Sequence, residues 1–231
     1  MVTSNQPIYF GDRMIISLSG NKRCGKDTVA NFLVKQFSFK KIALADPLRE
    51  ICSKVFEIPL STFLDDELKE KAFQYPVSLT ESDLGHIEAI IENEWGFNLT
   101  DYQHSAMLEH VGVTFAHPRQ ILQYVGTELI RGCIDDNIFL KLADKRITST
   151  DANVVLSDVR FKVERDWAKS KGALMCLINR PSKVKVDTHV SENDLGDESE
   201  YTTVMTNDGT LSGFICDIHT YFNVIVNRRS Y

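Results

Sequence analysis

One short segment restricts this chain more than any other. Residues 14–19 (MIISLS) form an apolar run that reads as a buried strand. The segment Gly20-Asn-Lys-Arg-Cys-Gly25-Lys26-Asp27-Thr28 follows. Asp27 or Thr28 then opens a helix with Val29, Phe32, Leu33 and Phe37 along one face. Strand, G-x-x-x-x-G-K and helix in that order make the body of a Walker A phosphate loop. The chemistry accounts for the spacing. Glycines let the backbone wrap an anion with its N–H groups pointing inward. The helix adds its positive N-terminal end, and Lys26 is placed to reach the bridging and terminal phosphates. Gly20, Lys22, Arg23, Gly25, Lys26, Asp27 and Thr28 are therefore the candidate residues for the phosphates of ATP. Asp27 stands where a Ser or Thr usually ligates Mg2+, with Thr28 one place later. Either residue could serve the metal, Asp27 partly through water.

The remaining pattern is consistent with that beginning. KIALA (41–45) reads as a second strand. Asp46 and Pro47 then open a helix carrying Leu48, Ile51, Cys52, Val55 and Phe56. Residues 58–117 are less regular. One helix is expected after Ser61 and another carries Ile87, Ile90, Ile91 and Trp95, so the stretch reads as a mostly helical insertion that covers the substrate. Further helices are expected from Pro118, over 136–147, and after the strand NVVLS (153–157), this last one ending near Gly172. ALMCLI (173–178) and YTTVMT (201–206) read as strands, with a polar loop over 182–200 between them. Leu211, Phe214, Ile215, Ile218 and Phe222 mark a closing helix. Strands alternating with helices predict an α/β fold, a parallel sheet covered on both faces. The whole chain, 1–231, reads as one P-loop domain with 58–117 inserted.

Charge and composition exclude other classes. Net charge is −6 over 231 residues, which disfavours the phosphate backbone of nucleic acid as a partner. No run of 18 apolar residues occurs, so no membrane span is expected. The first residues lack the basic and apolar regions of a secretory signal. Five scattered cysteines without C-x-x-C predict a reducing cytoplasm and neither a disulfide framework nor a structural zinc.

A second acidic group is needed to hold the magnesium shell at the end of a buried strand. Asp158, after Val154–Leu156, fits that place, although the same carboxylate could cap a helix or pair with Arg160. Asp46 ends the second strand candidate and could touch an acceptor or only cap its helix. An acceptor phosphate requires cations, and the forked guanidinium suits it. Arg49, Arg119, Arg131, Arg160 and Arg180 are candidates. Arg119, Gln123 and Thr127 follow one another at four-residue spacing on a polar helix face suited to a nucleotide. Arg160 is placed to reach transferring phosphates. His189, within DTHVSE (187–192), could belong to a closing lid. Asn207 and Asp208 precede Gly209 in a turn that could touch the ATP base.

Taken together, LSGNKRCGKDT (18–28), LADPLRE (44–50), RQILQYVGTELIR (119–131), SDVRF (157–161), DTHVSE (187–192) and TNDGTL (206–211) resemble the bacteriophage deoxynucleoside monophosphate kinases. The segments occur in that family's order and spread over most of the chain, with almost none in 58–117. The GKDT variant itself is similar to the family. The resemblance implies a nucleoside monophosphate kinase-like fold, ATP with Mg2+, and a deoxynucleoside monophosphate acceptor, in the host cytoplasm if the gene is carried by a phage. It implies Gly20–Thr28 as the ATP phosphate site, with Arg119, Gln123, Asp158 and Arg160 as further site residues. Phosphomevalonate kinases of the animal type and dephospho-CoA kinases look similar around the phosphate loop, and a non-catalytic ATP-binding module is the alternative from another class. The base preferred, the choice between deoxyribose and ribose, and the number of subunits, a homodimer included, stay open.

Overall fold

The structure is a computed structural model and describes residues 13–181 and 195–227. The chain divides into two compact units: residues 1–44 with 143–231, and residues 45–142. Each has its own apolar core.

The first unit is built on a five-stranded sheet. Its strands are β1 (Ile15–Ser19), β2 (Lys40–Ile42), β5 (Val154–Leu156), β6 (Leu174–Asn179) and β7 (Thr203–Thr206). They lie in the order β2-β5-β1-β6-β7, and every pairing is parallel. Every residue of β1 and β5 is buried, as expected of strands covered on both faces. Ile16, Leu18, Val155, Cys176 and Ile178 pack with Val29, Ala30 and Leu33 of α1 (Lys26–Phe37) and with Phe214, Ile218 and Phe222 of the closing helix (Leu211–Asn227). On the alternate positions of β1 and β5, Ile15, Val154 and Leu156 are buried as well, and α8 (Lys162–Ser170) packs on β6. The expected α/β architecture is present. The second strand is shorter than expected, running from Lys40 to Ile42 rather than over 41–45, and α1 opens at Lys26 rather than at Asp27 or Thr28.

The second unit is mostly helical: α2 (Asp46–Val55), α3 (Leu60–Leu64), α4 (Glu81–Asn93), α5 (Asp101–Leu108) and α6 (Pro118–Tyr124). A short 3-10 turn spans Leu68–Glu70, and the strands β3 (Val77–Ser78) and β4 (Thr114–Phe115) pair antiparallel. The helix α7 (Ile138–Thr148) starts in this unit and ends in the first. Phe63, Leu79, Leu84, Ile87, Ile91, Trp95, Met107 and Phe115 form its core with Ile121, Val125 and Leu129. Helices α4 and α5 begin at capping boxes, Thr80 with Asp83 and Thr100 with Gln103. The helix of α6 continues as a π-helical segment over Val125–Arg131.

Candidate functional site at the carboxyl edge of the sheet

The sheet order alone gathers most of the predicted residues of the first unit. Gly20 follows β1, Leu44 lies just beyond β2, Asp158 beyond β5, Arg180 directly after β6 and Asn207 directly after β7. The five strands are adjacent and parallel, so all five positions fall at one edge, the carboxyl edge where open α/β sheets bind ligands.

The phosphate loop is held in a conformation that only glycine permits at two points. Gly20 has φ +142°, and a Cβ there would lie 2.3 Å from the Ile178 carbonyl oxygen. Gly25 has φ +115°, and a Cβ there would lie 2.8 Å from Asn207 Nδ2. Arg23 also has positive φ (62°) with an exposed side chain, a costly conformation for a residue with a Cβ. Lys22 is half-buried. Lys26 is 8% exposed, and its ammonium donates to the carbonyls of Gly20 and, at 2.8 Å, Asn21. The loop thus concentrates positive charge at the start of α1. Cys24 Sγ lies 3.8 Å from the same ammonium. Burial pushes the Cys24 thiol above its ordinary range, and Lys26 offsets this only in part.

Asn207 ties the phosphate loop to the sheet. It is 6% exposed. Its Nδ2 donates to the Cys24 carbonyl at 2.9 Å, and its own N–H donates to the Asn179 carbonyl at 2.7 Å. The carboxamide N–H and the backbone N–H together fasten the phosphate loop to the ends of β6 and β7. Asp208 is exposed beside it.

The Asp27 carboxylate is 80% exposed and pairs with Lys41 of β2 at 2.7 Å. Thr28 is half-buried. Asp158 Oδ1 accepts from the Leu44 N–H at 2.7 Å, which ties the ends of β5 and β2 together. Glu164 caps α8, its Oε2 accepting from the N–H groups of Arg160 (2.8 Å) and Phe161 (3.1 Å). Arg160 is half-buried. Arg180 Nε is buried and has no hydrogen-bond partner among the described residues, a donor suited to an anion. His189 lies outside the described residues. Among the described residues no group of three or more His, Cys, Asp or Glu could hold a metal ion. Magnesium in nucleotide sites keeps several waters and uses only one or two protein ligands besides the phosphates, so the Thr28 and Asp158 oxygens fit that type of donor set.

The acceptor candidates Asp46, Arg49, Arg119, Gln123, Thr127 and Arg131 all lie in the second unit. Asp46 is not the cap of α2. Ala45 holds that position, and Asp46 sits in the first turn, paired with Arg49 at 2.8 Å. Arg119 pairs with Glu70. Gln123 and Thr127 are exposed. Arg131 sits with its guanidinium carbon 5.2 Å from the centre of the Phe139 ring.

The sequence profile described as deoxynucleotide monophosphate kinase matches residues 14–109 and 88–218. The chain belongs to the deoxynucleotide monophosphate kinase family. A protein of Acanthamoeba polyphaga mimivirus, provisionally named a deoxynucleotide monophosphate kinase, is 29% identical over 217 residues, covering 89% of this chain and 94% of its own. The deoxynucleotide monophosphate kinase of Enterobacteria phage T4 is 26% identical over 258 residues, covering 91% of this chain and 99% of its own. Among solved structures, a dephospho-CoA kinase from Campylobacter jejuni aligns at 14% identity with a TM-score of 0.38, covering 91% of this chain and 96% of its own.

Within this family member, sequence reasoning missed Lys41, Glu164 and Arg165. Lys41 reads as an ordinary strand-edge lysine, and only the sheet order brings it to Asp27. Glu164 and Arg165 read as polar helix positions. The one available signal was SDVRF followed three residues after Phe161 by a glutamate, the spacing of a helix N-terminus.

Proposed function

We propose that this chain is an ATP-dependent deoxynucleoside monophosphate kinase, transferring the γ-phosphoryl group of ATP to a dNMP to give dNDP and ADP and so supplying DNA precursors in the cytoplasm. The observation that carries the reading is the glycine-shaped loop with the buried Lys26, fastened by Asn207 at the carboxyl edge of the sheet, in a member of this family. Gly20 to Thr28 would take the ATP phosphates. The acceptor phosphate oxygen is substantially deprotonated at neutral pH, so no strong general base is required. Catalysis then rests on positioning and on neutralising charge. Lys26 and Arg160 are assigned to the charge on the transferring group, and Arg180 to a phosphate. Asp46, Arg49, Arg119, Gln123, Thr127 and Arg131 are the acceptor-side candidates. Magnesium, when bound with ATP, supplies charge neutralisation at the phosphate oxygens. Thr28 and Asp158 are the residues assigned to hold it, largely through water, and the pairing of Asp27 with Lys41 argues against Asp27 as a direct ligand.

The test is direct: purified protein, ATP and Mg2+ are mixed with each of the four dNMPs, and diphosphate formation is followed by chromatography. Ribonucleoside monophosphates, phosphomevalonate and dephospho-CoA run beside them. Phosphorylation of at least one dNMP in preference to the other acceptors is expected, and the same assay reports the base preference. ATP binding without turnover of any acceptor would overturn the assignment in favour of a non-catalytic module.

A further inference from the structure

Just after β5, two adjacent residues of opposite charge are withdrawn from solvent. Glu164 is 5% exposed and Arg165 is 1% exposed. Burying an ion costs several kcal/mol unless a partner compensates, so what these two bind is informative. Glu164 Oε2 accepts from the N–H of Phe161, which is ordinary capping of α8, and also from the N–H of Arg160, outside the helix. Arg165 Nη1 donates to the carbonyl of Arg160 at 2.9 Å. Both backbone polar groups of Arg160 are therefore taken by buried side chains of the first turns of α8. The N–H belongs to the peptide plane before the Arg160 Cα and the carbonyl to the plane after it. Peptide units are rigid, so holding both planes sets φ and ψ at this residue and the direction in which its side chain leaves the backbone. Glu200, in the 3-10 turn Glu198–Glu200 that precedes β7, lies 3.9 Å from Arg165 Nε and accepts from Lys169 at 3.0 Å.

We infer that Glu164 and Arg165 are positioning residues that aim the Arg160 side chain, with Glu200 holding Arg165 in place. The inference rests on the reading of Arg160 as a cation for the transferring phosphoryl group. A purely structural role would lower stability without following Arg160. A positioning role must vanish when there is no guanidinium left to aim.

The experiment is a double-mutant cycle in the full chain, read as kcat and KM for ATP and the preferred dNMP, with circular dichroism and thermal unfolding to establish folding. Arg165→Met is expected to lower kcat about 10-fold or more, since a misplacement of the order of 1 Å costs up to about 100-fold. KM for ATP should stay within about two-fold on the same ground, because the phosphate loop is untouched. Arg165→Lys, which can still donate to a carbonyl, should restore part of the loss. In an Arg160→Ala background, Arg165→Met should lower kcat no further. If Arg165→Met does not fold, Glu200→Gln carries the same comparison, with a smaller loss that is again absent without Arg160. Independent, multiplying losses in the two backgrounds would overturn the inference, as would full kcat in a folded Arg165→Met protein. Full kcat in Arg160→Ala alone would overturn the reading of Arg160 on which the inference stands, a result distinguishable from the other two.

Discussion

Single residues decide whether phosphate can be held. Lys26 is buried against the carbonyls of its own loop, so its ammonium is already placed among the groups that shape the cradle. Lys26→Ala is expected to reduce kcat by about 100-fold or more, the scale of removing one preorganised donor, while circular dichroism stays unchanged. Normal turnover by that variant would reject the assignment. The cysteines supply a pH prediction. Burial raises the Cys24, Cys52, Cys133 and Cys176 thiols, Cys176 to about 12 from an ordinary value of 9.0. A raised native value means that the folded chain favours the protonated thiol. The stabilisation is complete below the unfolded value and is lost as pH rises from there through the folded one. The melting temperature should therefore fall above pH 9, and less steeply in Cys176→Ala than in the parent. A curve of equal slope in both proteins would remove Cys176 from the account. At this scale the phosphate loop was legible because its glycines and lysine sit within nine residues. The roles of Asn207, Glu164 and Arg165 were not, because each depends on a partner whose position only the folded backbone defines.

Elements were legible where the apolar period was long and clean. The closing helix, α1 and the buried strands follow from periodicity alone, with boundaries displaced by one or two residues. Helix α5 was not foreseen: its eight residues bury only Met107, and so short an apolar stripe gives no period to read. The π segment escaped for another reason. Val125, Gly126, Leu129 and Ile130 are all buried, and their spacing suits an α-helix as well as a wider turn. Gly126 packs so closely on Leu48 that an added Cβ would lie 2.6 Å from its side chain. Caps, by contrast, are visible in sequence and testable singly. The Thr80 hydroxyl accepts from the Asp83 N–H at 3.2 Å, and the Asp83 carboxylate accepts from the Thr80 N–H at 2.8 Å. Thr80→Ala is expected to cost about 1 kcal/mol, measurable by urea denaturation, and a loss below about 0.3 kcal/mol would show that α4 is held by packing alone.

The whole molecule is two cores on one chain. Residues 45–142 form a continuous segment with its own buried cluster. Expressed by itself, that segment should show helical circular dichroism and a cooperative thermal transition, because an independent core is what makes a segment fold alone. A flat, non-cooperative melt would show that it depends on the rest of the chain. Among the described residues no helix is long and apolar enough to cross a membrane. The sheet of the other unit has a consequence in time. Strands β1 and β2 are not neighbours; β5 lies between them, and β1 otherwise pairs only with β6. During synthesis, then, β1 and β2 emerge before the strand that lies between them and cannot join the sheet through it until residue 154 has left the ribosome. The phosphate loop waits longer still, for Asn207. The segment 45–142 is synthesised before either event, so the strands that flank the phosphate loop in the sheet and the side chain that fastens it all arrive after a whole second core has been made.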